Sequence, residues 1–387
     1  MAGNFEFTLL RGDRPDGPRR GRCDTPHGSF ETPCFAPIGT KAAVKGLFPE
    51  HVRATGAELI LANTYHLALR PGADLIAEAG GLHRFMDWDG PILTDSGGYQ
   101  VFSLAGKRRV DDRGVTFWGA DAGQELRLTP ESALSIQRAL GADVVMVLDE
   151  CPPHDATPKA LREACRRTLV WAREARDLHR DWGGRDRGQA LFGIVQGGAD
   201  AGLRRESAEE LCRLGFDGYA IGGVSVGESK ERMRATVEGV TPLLPVDQCR
   251  YLMGVGDPDD LCAQVLRGID LFDCVSPTRN GRCNRVWIPE GVLNMRNAHH
   301  RAAFVPLQEG CPCPACTRWT RAYVRHLALT GEMLGAILQS LHNLWFVEGL
   351  MAGLRERIAA GDDAAAVRAW FRDRYPGWAG DGPVPIV

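Results

Sequence analysis

Short apolar runs rich in β-branched and aliphatic residues recur along the chain at Cys34–Ile38, Leu59–Ala62, Ile92–Thr94, Val144–Leu148, Leu191–Val195, Tyr219–Ile221, Tyr251–Gly254 and Leu271–Val275. They are continuous rather than alternating, the pattern of strands covered on both faces. Helical stretches lie between most of them. Thr157-Pro158 sets an N-cap residue before an N1 proline, and Leu161, Ala164, Cys165, Leu169, Ala172 and Ala175 then share one face. Asp257-Pro258 opens a second helix that Gly268 ends, and a third covers about Ala201 to Leu214. Apolar strands alternating with helices predict a parallel sheet, and eight such units predict a (β/α)8 TIM barrel. A doubly wound open sheet is the competing arrangement, but no GxGxxG follows the first strand.

Several segments fall outside this rhythm. Residues 4–35 read as a strand-turn-strand lid, with Phe5, Phe7 and Leu9 alternating with polar neighbours before the turn residues Asp13–Gly17. Residues 104–127 read as an inserted hairpin. After the eighth strand, Ser276-Pro277 marks a break, and Arg279, Asn280, Gly281 and Arg282 read as a flexible loop carrying two permanent cations. Residues 276–331 interrupt the last unit, and helical patterns return from Glu332 to about Ala359 and from Asp363 to Tyr375. The expected organisation is a barrel with its lid over 1–275, a basic insertion over 276–331, and completing helices over 332–387.

Composition is that of a soluble globular protein: 44% hydrophobic and 25% charged over 387 residues. The N-terminus lacks a basic region followed by a long apolar run, and no stretch is apolar enough to span a bilayer, so a cytoplasmic protein without membrane contact is expected. The net charge of −3 argues against a nucleic-acid partner, but its distribution argues the other way. From Ser276 to Gly331 there are eight arginines (279, 282, 285, 296, 301, 318, 321 and 325) against Glu290 and Glu309, a local excess of +6. Such a patch attracts a phosphate backbone. The plainer alternative is a solvated face in a chain whose cations are mostly arginine.

In a barrel, function sits where strands end. The residues there are Asn63-Thr-Tyr-His66, Asp95-Ser-Gly-Gly-Tyr-Gln100, Asp149-Glu-Cys151, Gln196-Gly-Gly198, Gly222-Gly223, Gly256-Asp257, and Asp273 within the last strand. A single polar residue of this kind would be a strand terminator, and Asp273 alone would read as a core carboxylate paired with a nearby arginine. Seven such positions on one rim describe a pocket. Asp95, Asp149 and Asp273 offer a nucleophile, an acid/base and an acceptor for a neutral ligand. The Gly-Gly pairs admit a flat ligand close to the backbone, Tyr99 suits stacking, and Gln196 can both donate to and accept from a base edge. Paired carboxylates beside a base pocket point to cleavage of a glycosidic bond.

Cys311, Cys313 and Cys316 place three of the chain's twelve cysteines within six residues, a spacing suited to structural zinc. His326 and His342 both lie downstream as candidate fourth ligands, and spacing does not choose between them.

The motifs Thr94-Asp-Ser-Gly-Gly-Tyr-Gln-Val101, Val195-Gln-Gly-Gly198, Ile221-Gly-Gly223, Phe272-Asp-Cys-Val275 with Thr278-Arg-Asn-Gly-Arg282, and Cys311-x-Cys-x-x-Cys316 with His342-Asn343 resemble, in order and over almost the whole chain, the bacterial tRNA-guanine transglycosylase (queuine tRNA-ribosyltransferase) family. The resemblance implies exchange of the wobble guanine in tRNAs with GUN anticodons. It implies that Asp273 is the nucleophile and Asp95 the general acid/base. Asp149, Gln196 and the Gly223 amide would read the base, Tyr99 and Met253 would sandwich it, and Arg279 and Arg282 would contact the anticodon loop. Cys151 and Val226 match the bacterial pattern, implying 7-aminomethyl-7-deazaguanine as the incoming base. His342 is selected as the fourth ligand of one structural Zn2+ per subunit, and a homodimer is implied. The chain departs from the family pattern at Val224-Ser225, Ser276 and Cys283-Asn284. A non-catalytic tRNA-binding relative would be expected to lose the carboxylates that remain here. A zinc hydrolase is disfavoured by a filled Cys3His set, and an archaeal-type or DNA-directed relative by the compact C-terminus.

Overall fold

The computed structural model describes residues 5–12, 14–99, 106, 108–118, 125–225, 227–380, 384 and 386. Its centre is an eight-stranded parallel sheet of β4 (Cys34–Pro37), β5 (Ile60–Ala62), β6 (Ile92–Thr94), β10 (Val144–Met146), β11 (Ala190–Val195), β12 (Gly218–Ile221), β13 (Cys249–Leu252) and β14 (Leu271–Cys274). The spatial order runs β5-β6-β10-β11-β12-β13-β14-β4, and the parallel bridge Ile38–Leu61 brings β4 back to β5. This is the expected barrel. Every residue of β11, β12 and β13 is buried, as continuous apolar strands require when helices cover their outer face.

The helices begin where the capping chemistry places them. The Thr157 side chain accepts from the Ala160 N–H at the head of Pro158–Asp181, and the Asp200 side chain accepts from the Leu203 N–H at the head of Ala201–Leu214. Pro258–Val265 starts at its proline, although Asp257 makes no side-chain cap bond.

Three local expectations need correction. The lid has three antiparallel strands, β1 (Glu6–Arg11), β2 (Arg20–Thr25) and β3 (Gly28–Thr32), because the Pro26-His27 turn folds a further strand back. The insertion is likewise a three-stranded sheet, β7 (Arg108–Asp111), β8 (Gly114–Trp118) and β9 (Glu125–Leu128), and not a hairpin. Finally, Ser276–Arg282 is a short helix rather than a flexible loop. Pro277 is tolerated in its first turn, where its missing N–H removes no intrahelical bond. Gly281 is there for contact: a Cβ on it would lie 2.5 Å from the backbone nitrogen of Ser340 on the long helix Met333–Ala360. The turn that follows holds Asn284 at φ 61°, a left-handed conformation that asparagine tolerates better than most residues.

The lid is bolted to the N-terminal end of the barrel by buried charge. Arg19 Nε donates to Asp270 Oδ1 at 2.9 Å, and the Arg250 backbone N–H donates to Asp270 Oδ2 at 2.8 Å. The Arg250 guanidinium donates to the carbonyls of Pro15 and Leu244. Replacing Asp270 with Asn leaves the buried Arg19 guanidinium without a counter-charge. A loss of about 3–5 kcal/mol is expected in denaturant unfolding. At the same end, the His27 and His83 rings stack 3.5 Å apart and meet different oxygens of Asp143. No helix among the described residues is long and apolar enough to cross a membrane.

Candidate active site

The C-terminal ends of the barrel strands bring the rim residues together. Asp95 follows β6. One of its oxygens accepts from the Thr64 N–H at 2.8 Å, and the other accepts from the Asn63 amide. Burial pushes its pKa up to about 7. The Thr64 N–H opposes that rise, and the neighbouring charges of Asp273 and Asp149 add to it. Asp273 sits within β14, in register with Ala36. The Tyr251 hydroxyl donates to its Oδ1 at 2.6 Å and the Gly254 N–H donates to the same oxygen at 2.8 Å, leaving Oδ2 without a hydrogen bond among the described residues. Burial raises the Asp273 pKa while these two donors favour its charged form. Tyr251 feels the charge of Asp273 and also that of Asp95. Two carboxyls far apart in the chain therefore act on each other electrostatically across the barrel mouth.

Asp149, only 4% exposed, lies beyond β10. Ser96 Oγ donates to its Oδ1 at 3.0 Å and Gln196 Nε2 donates to its Oδ2 at 2.7 Å. Burial pushes its pKa up to about 6 against these two donors. Gly98 explains its place in the motif here: a Cβ on it would overlap the Asp149 carboxylate at 1.8 Å. Gln196 is fully buried, and its Oε1 has no hydrogen-bond partner among the described residues, so a buried acceptor remains beside Asp149. Gly223 has φ 64°, and a Cβ there would come within 2.4 Å of Gln196 Oε1. Near it lies the buried Cys151 thiol, whose pKa burial pushes up to about 12.

Tyr99 is 56% exposed at the rim, and Met253, half-buried after β13, packs on the barrel core. Val226 lies outside the described residues. Arg279 and Arg282 are exposed on the short helix behind Asp273. A cavity of about 220 Å³ opens beside it, lined in part by Ser225, Lys230, Asp260, Cys274 and Ser276. A larger one of about 780 Å³, between the lid and the helix ends near Arg267 and Asp363, lies at the opposite end and touches none of these residues.

Three features have no counterpart in the sequence reading. Tyr251 reads as an apolar-strand residue because its ring fills the core, and only the structure shows its hydroxyl on Asp273. Asn63 and Thr64 read only as rim residues, yet they hold Asp95. Arg204 reads as one more cation on an amphipathic helix but is buried between two of the glycine loops.

Cys311, Cys313, Cys316 and His342 converge, their ligand atoms all within 4.8 Å of one another. His342 Nδ1 stands 3.8, 3.4 and 3.3 Å from the sulfurs of Cys311, Cys313 and Cys316, where a tetrahedral zinc would set N and S about 3.5 Å apart. His342 Nε2 donates to the Trp287 carbonyl at 2.8 Å, which fixes the tautomer and leaves Nδ1 bare toward the thiols. The cluster can hold a metal ion, and three soft thiolates with one imidazole suit zinc. His326 is not part of it.

Two buried carboxyls that act on each other across one mouth, with a hydrogen-bonded Asp149–Gln196 pair beside them, are a set that can break and remake a glycosidic bond, the chemistry of the glycosyl-transferring enzymes. The comparisons with known proteins narrow the class. The family model described as Queuine tRNA-ribosyltransferase matches residues 15–376, and the chain belongs to that family. Queuine tRNA-ribosyltransferase of Novosphingobium aromaticivorans is 51% identical over 357 residues, covering 92% of this chain and 96% of the relative. Those of Geobacillus thermodenitrificans and Ruegeria sp. are 50% and 48% identical, each covering 97% of both chains.

Proposed function

We propose that this protein exchanges the wobble guanine of GUN-anticodon tRNAs for 7-aminomethyl-7-deazaguanine, acting in the cytoplasm as a homodimer with one structural zinc per subunit. The observation that supports this most is the coupling of Asp95 and Asp273 across one mouth, with the Asp149–Gln196 pair beside them. Asp273 attacks C1′ of the nucleotide. The bond from C1′ to the guanine nitrogen breaks, and Asp95 gives the leaving base a proton. The RNA chain stays intact as a ribosyl ester of Asp273. The incoming base then loses its ring proton to Asp95 and attacks C1′ from the side the guanine left, opposite the ester bond, which breaks to free Asp273 with net retention. Asp149, Gln196 and the Gly223 N–H read the base edge, with Cys151 in the wall. Tyr99 and Met253 close on its two faces. Cys311, Cys313, Cys316 and His342 hold zinc away from this chemistry, and the metal's contribution is structural. The test is incorporation of labelled guanine into a GUN-anticodon tRNA, with a tRNA of different anticodon as control.

An acid near neutrality suits a group that must give and then take a proton. Adduct formation should therefore fall as pH rises through about 7, and return of the base should fall as pH drops through the same value. Single-turnover measurements of the two halves check this. Folded Asp95 binds its proton more tightly than the unfolded chain does, so its contribution to stability is greatest near pH 4 and is lost as pH rises to about 7. The Asp95→Asn variant should lack exchange yet melt no lower than the parent at pH 8.

Arg279 and Arg282 face solvent on the helix that follows β14. Replacing both with Ala should weaken tRNA binding. The slope of log affinity against log salt should become shallower by about 0.7 for each phosphate that these arginines neutralise, while the KM for free guanine stays constant. Filter binding at several salt concentrations reads this directly.

A further inference from the structure

Arg204 is 3% exposed, and its guanidinium is spent on backbone carbonyls. Nε donates to Gly198 O at 2.9 Å, Nη1 donates to Val195 O at 2.8 Å and to Gly222 O at 2.7 Å, and Nη2 donates to Gly223 O at 3.3 Å. These carbonyls belong to the last residue of β11 and to the loops after β11 and β12, which carry Gln196 and Gly223. The acid whose charge it feels is Glu228, which itself accepts from the Ser225 N–H in the same loop. Burial of the guanidinium lowers its pKa to about 10, so it stays charged at neutral pH. A charged donor that is buried with no direct carboxylate partner among the described residues is costly unless its position serves something.

The peptide geometry shows what it serves. Gly222 O and the Gly223 N–H are two ends of one peptide unit, and in a trans peptide they point in opposite directions. Arg204 holds the oxygen from behind the loop. The N–H lies on the other side, near Cys151. The cation therefore fixes the plane of that peptide and, by polarising its carbonyl, strengthens the N–H as a donor. Its Nε and Nη1 bonds tie the Gln196 loop to the same anchor, so the two base-reading edges are set by one side chain.

We propose that Arg204 is a positioning residue for base recognition: it orients the Gly223 N–H and Gln196 toward the carbonyl edge of the purine-like base. This inference rests on the base-exchange reading above.

The test uses the full chain with Arg204→Met and Arg204→Lys. Exchange kinetics are measured with guanine and with tRNA varied separately, and thermal unfolding is followed alongside. The expected result is a KM for guanine raised about tenfold or more in Arg204→Met, with partial recovery in Arg204→Lys, which keeps the charge and some of the bonds. The KM for tRNA, set mainly by phosphate contacts, should move less than about threefold. A folded variant whose KM for guanine is unchanged overturns the assignment, as does a loss confined to kcat. Failure of both variants to fold also overturns it, since the residue would then be purely structural. If the unaltered protein exchanges no guanine, the base-exchange reading fails instead, a result distinguishable from either variant's behaviour.

Discussion

Replacing Asp273 with Asn should lower guanine exchange into tRNA by at least about 10⁴-fold, with the fold and the Cys/His cluster intact. The size follows from the role proposed for the residue: an amide oxygen cannot displace a base and carry the ribose as an ester. The fold should survive because both hydrogen bonds to this side chain end on one oxygen. The Tyr251 hydroxyl and the Gly254 N–H can donate to the Asn carbonyl as they do to Asp273 Oδ1, while the new NH2 takes the place of the unbonded Oδ2. Burial disfavours the native charge, so its removal is not expected to destabilise the chain. Incorporation of labelled guanine reads the activity, and a melting curve reads the fold. Exchange at even a tenth of the parent rate would remove Asp273 from the nucleophile's role.

Stripping the metal should have the second largest effect, and on structure before chemistry. A separate small core of Val286, Ile288, Leu293, Met295, Leu307, Val324, Leu327 and Leu338 is built around Cys313 and Cys316. His342 and Asn343 tie it to the long helix through the Trp287 carbonyl and N–H. Without the ion, three thiols and an imidazole are left crowded in a partly buried site with little to satisfy them. Structural zinc in small peptides contributes about 10–16 kcal/mol of apparent binding energy at neutral pH, more than this small core can supply alone. Chelation, or Cys313→Ala, should therefore open the segment from about 285 to 331 in hydrogen exchange while the barrel strands stay protected. The basic patch is carried on that segment, so tRNA binding should go with it. If zinc is lost and protection of 285–331 is unchanged, the metal is not what organises the segment.

Legibility in the sequence follows the physics of each element. The barrel strands can be read because burial on both faces demands unbroken apolar runs, and the rim because those runs end in Asp, Gln and Gly. The cysteines are legible from spacing, and the choice of His342 comes from the family resemblance. The helix at Ser276–Arg282 is hidden because Pro277 and Gly281 look like chain breakers. The first is harmless in a first turn, and the second is required by a neighbour 59 residues away, Ser340, which no local pattern reveals. Arg204 and Tyr251 are hidden for a related reason. Their helical and strand positions are ordinary, and their contacts are to backbone carbonyls and a carboxylate supplied by other parts of the chain.

The central claim is that the side chains at 95 and 273 flank one ribose in the barrel mouth, and peptide mapping of a trapped intermediate tests it most directly. The Asp95→Asn protein and the parent are each incubated with a GUN-anticodon tRNA, denatured, digested and analysed by mass spectrometry. The account predicts a ribosyl adduct in the parent on the peptide containing Asp273, diminished in Asp95→Asn because the leaving base lacks its proton donor. An adduct on any other residue, or adduct formation indifferent to the group at position 95, would contradict it.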